Sequence, residues 1–596
     1  MSSGKDIKVY EFGPFRLDAL DRRLLRDGQP ISLPAKVFDL LLLLVQHGNH
    51  LVDKRTLMDS VWPDSFVEEH NLTVSISMLR KALGGKQNEH QYIETVPRRG
   101  YRFVAPVRQN CAEGTEAMED RSQGEWEKRI NDREAVSHSL AVLPLDNIST
   151  DPNLEYLSDG ITESIINSLS QLPTLLVMAC NTVFCYKGQN VNAQEIGREL
   201  DVETVLMGRL LQLGPTLIIR MELINVADGS QIWGEQYNRR LSDILLVQDE
   251  IAQTISEKLR LKLRSDERKS LTRRYTQNIE AYHLYLQGRY FWNKCTKEGL
   301  TKGIEYFQQA IEIDQNYALA YAGLADSYFR LSNVFAPPQW ALPKAQAAAS
   351  RAIELDDMLI EAHLSQATVK LFYEHDWSGA EQEYQKALEL NPGSAQSRYK
   401  YGMYLTYMGR FDEAMEEAVI ALKLDPLSLQ AQMGLGSNLY AMRRHHQAGK
   451  QYKKALELEP DFVPARFALG CNYIQLNRFD EAIAELQKAI QLAEESSLAL
   501  GFLGYAYAVS NQTDKARKVL RQLNEHSKRN YISPYSLAII YAGLGQKKKA
   551  FIWLEKTYED QNDWLVWLKV GPEWESLRSE AQFTDLLRRI GFTIQA

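Results

Sequence analysis

The sequence predicts a multidomain chain: a small α+β module at the N-terminus, a compact α/β block in the middle and an all-α solenoid filling the second half. Three observations predict it. The chain has 596 residues, too many for one hydrophobic core, which stops growing at roughly 250–300 residues. Small residues recur every 34 positions, at Ala380, Ala414, Ala448, Ala482, Ala516 and Ala550. Upstream of residue 265, short strand-like runs alternate with helical three-and-four spacing.

Composition narrows the classes. The chain is 44% hydrophobic and 24% charged, which excludes collagen-like, disulfide-scaffold and wholly disordered proteins. The apolar run Leu40–Val45 falls far short of the about 20 residues that span a bilayer. No membrane span is expected, and the start lacks the basic-then-apolar pattern of a secretory signal. Five scattered cysteines, Cys111, Cys180, Cys185, Cys295 and Cys471, predict free thiols in a reducing, cytoplasmic compartment. Cys180 and Cys185 lack the CxxC spacing of a zinc or redox site. The net charge of −8 argues against a chain that binds nucleic acid throughout, but leaves room for one basic module.

The first module covers residues 7–107. Strand-like pieces, Val9–Leu17 and Arg23–Leu33, come first, the latter broken at Asp27-Gly28. Pro34 suits the first turn of a helix, and Ala35–Gln46 follows as an apolar helix stopped near Gly48. Asp53 is a plausible N-cap for a second helix carrying Leu57, Val61 and Trp62, ended by Pro63. A third helix spans roughly Glu68–Leu83. Its apolar residues Leu72, Ile76, Leu79 and Leu83 are spaced 4, 3 and 4, one face of an α-helix. Two strands, Tyr92–Val96 and Tyr101–Val104, then flank the tight turn Pro97-Arg98-Arg99-Gly100.

Residues 108–138 hold eight acidic and five basic side chains with few large apolar ones, and read as a linker. Residues 139–265 form the α/β block. Strands are expected at Ser139–Leu145, Leu175–Met178, Val205–Leu213, Thr216–Val226 and Gln231–Tyr237, and helices at Asp159–Leu172, Ala193–Leu200 and about Leu245–Leu263. From 280 to 563 the 34-residue period predicts about eight two-helix units, each unable to bury its apolar face alone. Pro392, Pro426 and Pro460 close three of them. The tail, 564–596, with Trp564, Trp567, Trp574 and Leu586, is expected to cap the open end.

The third helix and the hairpin after it carry the strongest functional signal. With Leu72, Ile76, Leu79 and Leu83 inward, Thr73, Val74, Ser77, Met78, Arg80 and Lys81 lie on or near the outer face. Residues 70–107 hold six Lys/Arg against two Asp/Glu. A helix of this size fits the DNA major groove, and Arg98 and Arg99 at a glycine turn suit phosphate contacts. Tyr101 and Phe103 read as wing-anchoring core. No catalytic template is present: no GxxxxGK[ST], HExxH or GxSxG. No enzyme activity, cofactor or metal is therefore expected, and His445-His446 reads as a surface pair. Asp159, Glu163 and Glu235 are the ligand candidates of the α/β block, although such residues more often cap helices or decorate a surface.

These segments also resemble known families. Val74-Ser-Ile-Ser-Met-Leu-Arg-Lys-Ala-Leu-Gly84, then Ile93-Glu-Thr-Val-Pro-Arg-Arg-Gly-Tyr-Arg-Phe103, is similar to the C-terminal DNA-binding domain of OmpR/PhoB-type bacterial response regulators. The Pro-Arg-Arg-Gly-Tyr form is nearest the CadC/ToxR-like branch. The resemblance implies a winged helix-turn-helix that binds double-stranded promoter DNA, and signal transduction of the kind related to phosphorelays. It implies that the loop Pro63–Val67 touches RNA polymerase and that homodimers occupy tandem sites. Only a few residues precede the module and no membrane helix follows, so neither a receiver domain nor membrane sensing is expected. The middle block, with Ala141-Val-Leu-Pro-Leu-Asp-Asn147 and Trp233-Gly-Glu-Gln-Tyr237, resembles the TolB N-terminal-like domain. The periodic segment resembles tetratricopeptide repeats, which implies a concave groove for an unknown protein or peptide. The reading is a sequence-specific, cytoplasmic transcriptional regulator. The alternative is a repeat scaffold whose winged helix contacts protein.

Overall fold

The computed structural model describes residues 8–111, 138–261 and 276–593, apart from short stretches that include 62–68, 84–91 and 97–98. The chain separates into two compact units, residues 1–128 and 129–596. The expected linker lies largely outside the described residues.

In the first unit, the expected run Val9–Leu17 is two strands, β1 (Lys8–Phe12) and β2 (Phe15–Asp18), because Gly13 turns the chain at φ +56°. With β3 (Arg23–Arg26) and β4 (Gln29–Ile31) they form a meander. Helix α1 covers Ala35–Gln46. Strand β5 (Leu51–Asp53), too short to show a period, leads into α2 (Lys54–Val61). Asp53 caps α2 as expected: its carboxylate accepts from the Thr56 amide at 2.9 Å and the Thr56 hydroxyl at 2.7 Å. Helix α3 is Glu69–Ala82, and β6 (Ile93–Val96) and β7 (Gly100–Phe103) follow. β5 pairs with β7, making a three-stranded wing sheet. Residues 108–111, read as the start of the linker, instead form β8, which pairs antiparallel with β1 at the sheet edge. Phe12, Phe15 and Phe103 are buried; Phe103 meets Phe12 edge-on at 4.9 Å, joining the two sheets through one core.

The second unit begins with a mixed sheet in the order β11 (Leu175–Val177), β9 (His138–Val142), β12 (Thr204–Leu213), β13 (Thr216–Asn225), β14 (Gln231–Arg240), with β10 (Asp146–Asn147) beside β12. Helices α4 (Glu155–Ser170), α5 (Cys180–Phe184), α6 (Ala193–Glu199) and α7 (Ile244–Lys258) complete the block.

Among the described residues, sixteen of the helices that follow form eight pairs. The first members are α8 (Ile279–Asn293), α10 (Ala318–Val334), α12 (Ile360–Val369), α14 (Ala395–Met408), α16 (Leu429–Ala441), α18 (Val463–Gln475), α20 (Ser497–Val509) and α22 (Pro534–Gly543). The second members are α9 (Lys297–Ile313), α11 (Pro338–Leu355), α13 (Trp377–Leu390), α15 (Phe411–Leu424), α17 (His445–Leu458), α19 (Phe479–Leu492), α21 (Thr513–His526) and α23 (Lys547–Glu559). The periodic alanines are all fully buried. At Gly436 a methyl group would stand 2.4 Å from the Tyr452 ring, so the paired helices approach too closely for any side chain there. A second period of 34 shows in the backbone: His375, Gly409, Arg443, Asn477, Asn511 and Gly545 all have positive φ. Each turns the chain between the two helices of its pair.

Two expectations about the solenoid change. The α/β block is not a separate body: Tyr282 and Leu286 of α8 belong to its hydrophobic core, and Leu286 packs where Gly160 leaves room. Glu163 pairs with Arg289, and the Gln248 amide donates to the Tyr282 hydroxyl at 2.7 Å. Further along, Asn391 donates to the Ser170 hydroxyl at 3.0 Å, and Thr182 donates to the Asp425 carboxylate. The block therefore bridges the first helix pair and the turns that follow α13 and α15.

The tail does more than cap. It covers the last pair through Lys547–Glu580 and Arg589–Glu555, and it also runs back along the first helices. Trp567 meets Tyr407 at 5.1 Å and Trp564 meets Phe467 at 5.8 Å. Lys569 donates to the Met408 carbonyl and Arg443 to the Val570 carbonyl, at 2.9 and 2.8 Å. Phe592 stacks on Trp377 at 4.7 Å. Part of the repeat surface expected to stand open to a partner is thus covered by the chain itself. His445 is a second correction: it is half-buried against Tyr440, hydrogen-bonded to Asn472 at 3.2 Å, and burial pushes its pKa down to about 4.

Candidate nucleic-acid interface

Helix α3 divides cleanly. Leu72, Ile76, Leu79 and Leu83 are at most 3% exposed, packed on the core of α1, the meander and the wing. Thr73, Val74, Ser77, Met78 and Lys81 are exposed on the opposite side. Val74 and Met78 are 38% and 47% exposed, unusual for apolar side chains in the middle of a helix with a polar face. They are suited to contact with thymine methyl groups. Lys81 in the last turn suits the negative end of the helix dipole.

Arg80 is placed differently from its neighbours. Its guanidinium reaches across to the wing. Nε and Nη2 donate to the Ile93 carbonyl at 3.2 and 2.9 Å, and Nη2 also donates to the Thr95 hydroxyl at 2.7 Å. Arg80 ties α3 to β6 and so sets the angle between helix and wing.

The wing turn is closed by the Arg99 amide donating to the Val96 carbonyl at 3.1 Å, and the Arg99 side chain is exposed. Arg98, the other arginine of the turn, and the Pro63–Val67 loop lie outside the described residues. Gly100 is required by packing: a Cβ there would stand 2.1 Å from the Val52 carbonyl oxygen. Tyr101 and Phe103 are buried, as anchors of the wing. Arg102 faces Glu94 across the hairpin at 3.9 Å, which reduces its charge toward an anion.

One cluster was not foreseen. The Lys54 amide donates to the Arg99 carbonyl at 3.3 Å, so the β5–β7 pairing brings Lys54-Arg55, at the start of α2, beside the wing turn. The adjacent cations followed the Asp53 cap in plain view. Their neighbourhood with Arg99 needed the strand pairing. The Thr56 hydroxyl and amide hold the Asp53 carboxyl below its ordinary range, keeping a negative charge at the N-cap of α2, where the helix dipole favours it.

Elsewhere, the ligand candidates of the α/β block are all engaged. Asp159 pairs with Lys187 and Glu163 with Arg289. Glu235 accepts from the Trp233 indole at 3.3 Å and the Tyr237 hydroxyl at 3.4 Å. Among the described residues no group of three metal-ligating side chains converges, and no helix is long and apolar enough to cross a membrane.

Comparison with known proteins agrees with this geometry. Residues 28–103 match the family model "Transcriptional regulatory protein, C terminal". Tetratricopeptide-repeat models match residues 383–416, 402–461, 439–493 and 473–532. A putative adenylate cyclase 3 of Rhizobium meliloti is 37% identical over 187 residues, 31% of this chain and 32% of its own length. The transcriptional regulator HilA of Salmonella typhimurium is 25% identical over 419 residues, 69% of each chain. The transcriptional activator CadC of Escherichia coli is 34% identical over 147 residues, 24% of this chain and 28% of its own. The chain thus spans about a third of the length of the cyclase relative and about two thirds of HilA. The matched families are those of transcriptional regulators and repeats. The chain carries an OmpR/PhoB-type transcriptional-regulator domain, winged helix and all, joined to a tetratricopeptide solenoid.

Proposed function

We propose that this chain is a DNA-binding transcriptional regulator that lays α3 in the major groove of promoter DNA and sets its wing on the adjacent backbone. The observation that carries the reading is the exposed row Thr73, Val74, Ser77, Met78 and Lys81 on a helix whose other side is fully buried. Arg98 and Arg99 supply phosphate contacts, and Lys54 and Arg55 add charge at the same end. Arg80 contributes by positioning. Similarity to HilA and CadC supports regulation of transcription. In this reading the protein works in the bacterial cytoplasm, a homodimer occupies tandem sites and the Pro63–Val67 loop meets RNA polymerase. A protein partner of the solenoid engages its outer surface or displaces the tail.

The test is genome-wide capture of bound DNA by the full chain, then anisotropy titrations of the recovered fragments across salt. Affinity should fall steeply with salt, because each phosphate contact releases counterion. Replacing Arg98 and Arg99 with alanine should lower the slope of log K against log salt by about 2. Absence of duplex binding at low salt would refute the reading.

A further inference from the structure

Strand β14 (Gln231–Arg240) hydrogen-bonds to β13 along one edge, and no strand among the described residues pairs with its other edge. It runs for ten residues, eight of them exposed. An open edge is a template for another chain, and proteins commonly guard one by keeping it short or by placing lysine or proline on it. β14 is long and carries neither. Its charges are instead divided along its length, with Glu235 in the middle and Arg239 and Arg240 at the end.

Those charges are only partly engaged. Glu235 accepts from Trp233 and Tyr237 through Oε2, which leaves Oε1 to take another donor. Arg239 gives Nη2 to Glu250 at 3.2 Å and keeps further N–H groups. Arg240, and Glu222 on β13, are exposed and have no ion pair among the described residues.

We propose that two copies of the chain join through this edge, β14 antiparallel to β14 about a twofold axis at Tyr237, so that two sheets become one. Symmetry and charge select the register. In a continued sheet, residues directly opposite each other point to the same face, so the axis passes through a residue. On Glu235 or Arg239 it would set a charge directly against its own copy, which destabilises. On Gln236 or Asn238 it would leave Glu235 without an arginine opposite. On Tyr237, Glu235 of each copy stands opposite Arg239 of the other, and Gln236 opposite Asn238.

The other face of the sheet agrees with the same axis. Arg240 then stands opposite Gly234 of the second copy, and Gly234 is the cross-strand neighbour of Glu222. The glycine puts no side chain in the way, so Arg240 extends over it towards that carboxylate, whose strand lies two spacings or about 10 Å off. Symmetry repeats each ion pair. Leu246, 44% exposed, lies one turn before Glu250 on the same side of α7. Because Glu250 holds Arg239, the leucine brings an apolar side chain to the same seam. The pairing gives the proposed homodimer its interface, and it rests on that reading only for the expectation of two copies.

The experiment is sedimentation velocity of the full chain without DNA across the micromolar range, with DNA binding measured on the same samples. The expected result is a reversible dimer. Arg240→Glu and Glu222→Arg should each weaken it about tenfold, since symmetry doubles every change. The two substitutions together should restore it to within about threefold of the starting chain, a recovery that misfolding cannot produce. The proposal is overturned if the chain stays monomeric, if either single variant leaves dimerisation unchanged, as it would in a dimer built by the winged helix or the repeats, or if the double variant fails to recover. A chain that dimerises with this pattern but binds no DNA supports the interface and counts against the DNA-reading function alone.

Discussion

Arg80 separates two roles that a basic residue on a recognition helix can play. As a DNA contact it would hold a phosphate or a base. As placed, it holds the wing: three hydrogen bonds join its guanidinium to the Ile93 carbonyl and the Thr95 hydroxyl, at 2.7–3.2 Å. A hydrogen bond from a charged donor contributes about 1.5–3 kcal/mol. The bonds share two acceptors and the side chain is half-buried, so Arg80→Ala should cost the helix–wing junction about 2–3 kcal/mol, not three full bonds. Hydrogen exchange read by mass spectrometry on the full chain reports this locally. Each 1.4 kcal/mol is tenfold, so wing amides between 93 and 103 should exchange roughly 30- to 150-fold faster. DNA affinity should fall with them, because the wing loses its angle, but the salt slope should stay as it was. Unchanged wing protection together with a slope lower by about 1 would show that Arg80 contacts phosphate and that the strap is incidental.

Gly100→Ala should unfold the wing sheet and abolish DNA binding, since a Cβ at 2.1 Å from the Val52 carbonyl oxygen leaves no room for β5; wild-type protection of β5 and β7 in the variant would contradict this. Asn511→Gly should stabilise the solenoid by about 0.5–1 kcal/mol, because φ there is +62° and glycine relieves the left-handed strain at little cost; an unchanged or lower urea midpoint would count against it. Burial raises Asp563 to about 7 from an ordinary 3.8. The folded state therefore holds its proton where the unfolded state has released it. That contribution is full below about pH 4 and is lost as pH rises toward 7. Asp563→Asn, neutral throughout, should make the fall of the urea midpoint from pH 4 to 8 shallower, and an identical pH profile would exclude this role.

Much of the architecture is readable in the residues. The spacing of Leu72, Ile76, Leu79 and Leu83 identifies both α3 and the side it hides, because helix burial follows a 3.6-residue period. The 34-residue alanine period identifies the helix pairs, because each pair needs a small residue where its helices cross. Asp53 is legible as a cap from its place before a helical run. The misses share a cause. β5 is three residues long and β8 four, too short for any alternation to show, and both exist through pairing with distant strands. Gly13 splits a run that reads as one strand, because the turn depends on a backbone angle and no pattern of apolar residues signals it.

The functional residues divide in the same way. The sequence by itself determined the module types, the exposed row of α3 and the basic turn after it, since local periodicity and residue chemistry suffice for these. The tertiary structure alone decided three things. Arg80 faces the wing, because strand β6 happens to lie within reach of its guanidinium. Lys54 and Arg55 join Arg99, because β5 pairs with β7. Above all, part of the solenoid is covered by its own chain: contacts such as Asn181 with Asp425 and Trp377 with Phe592 join residues more than two hundred positions apart. No periodicity encodes such contacts. They arise when two surfaces, each legible alone, prove complementary in space, and they cover part of a surface that the repeats alone would leave open.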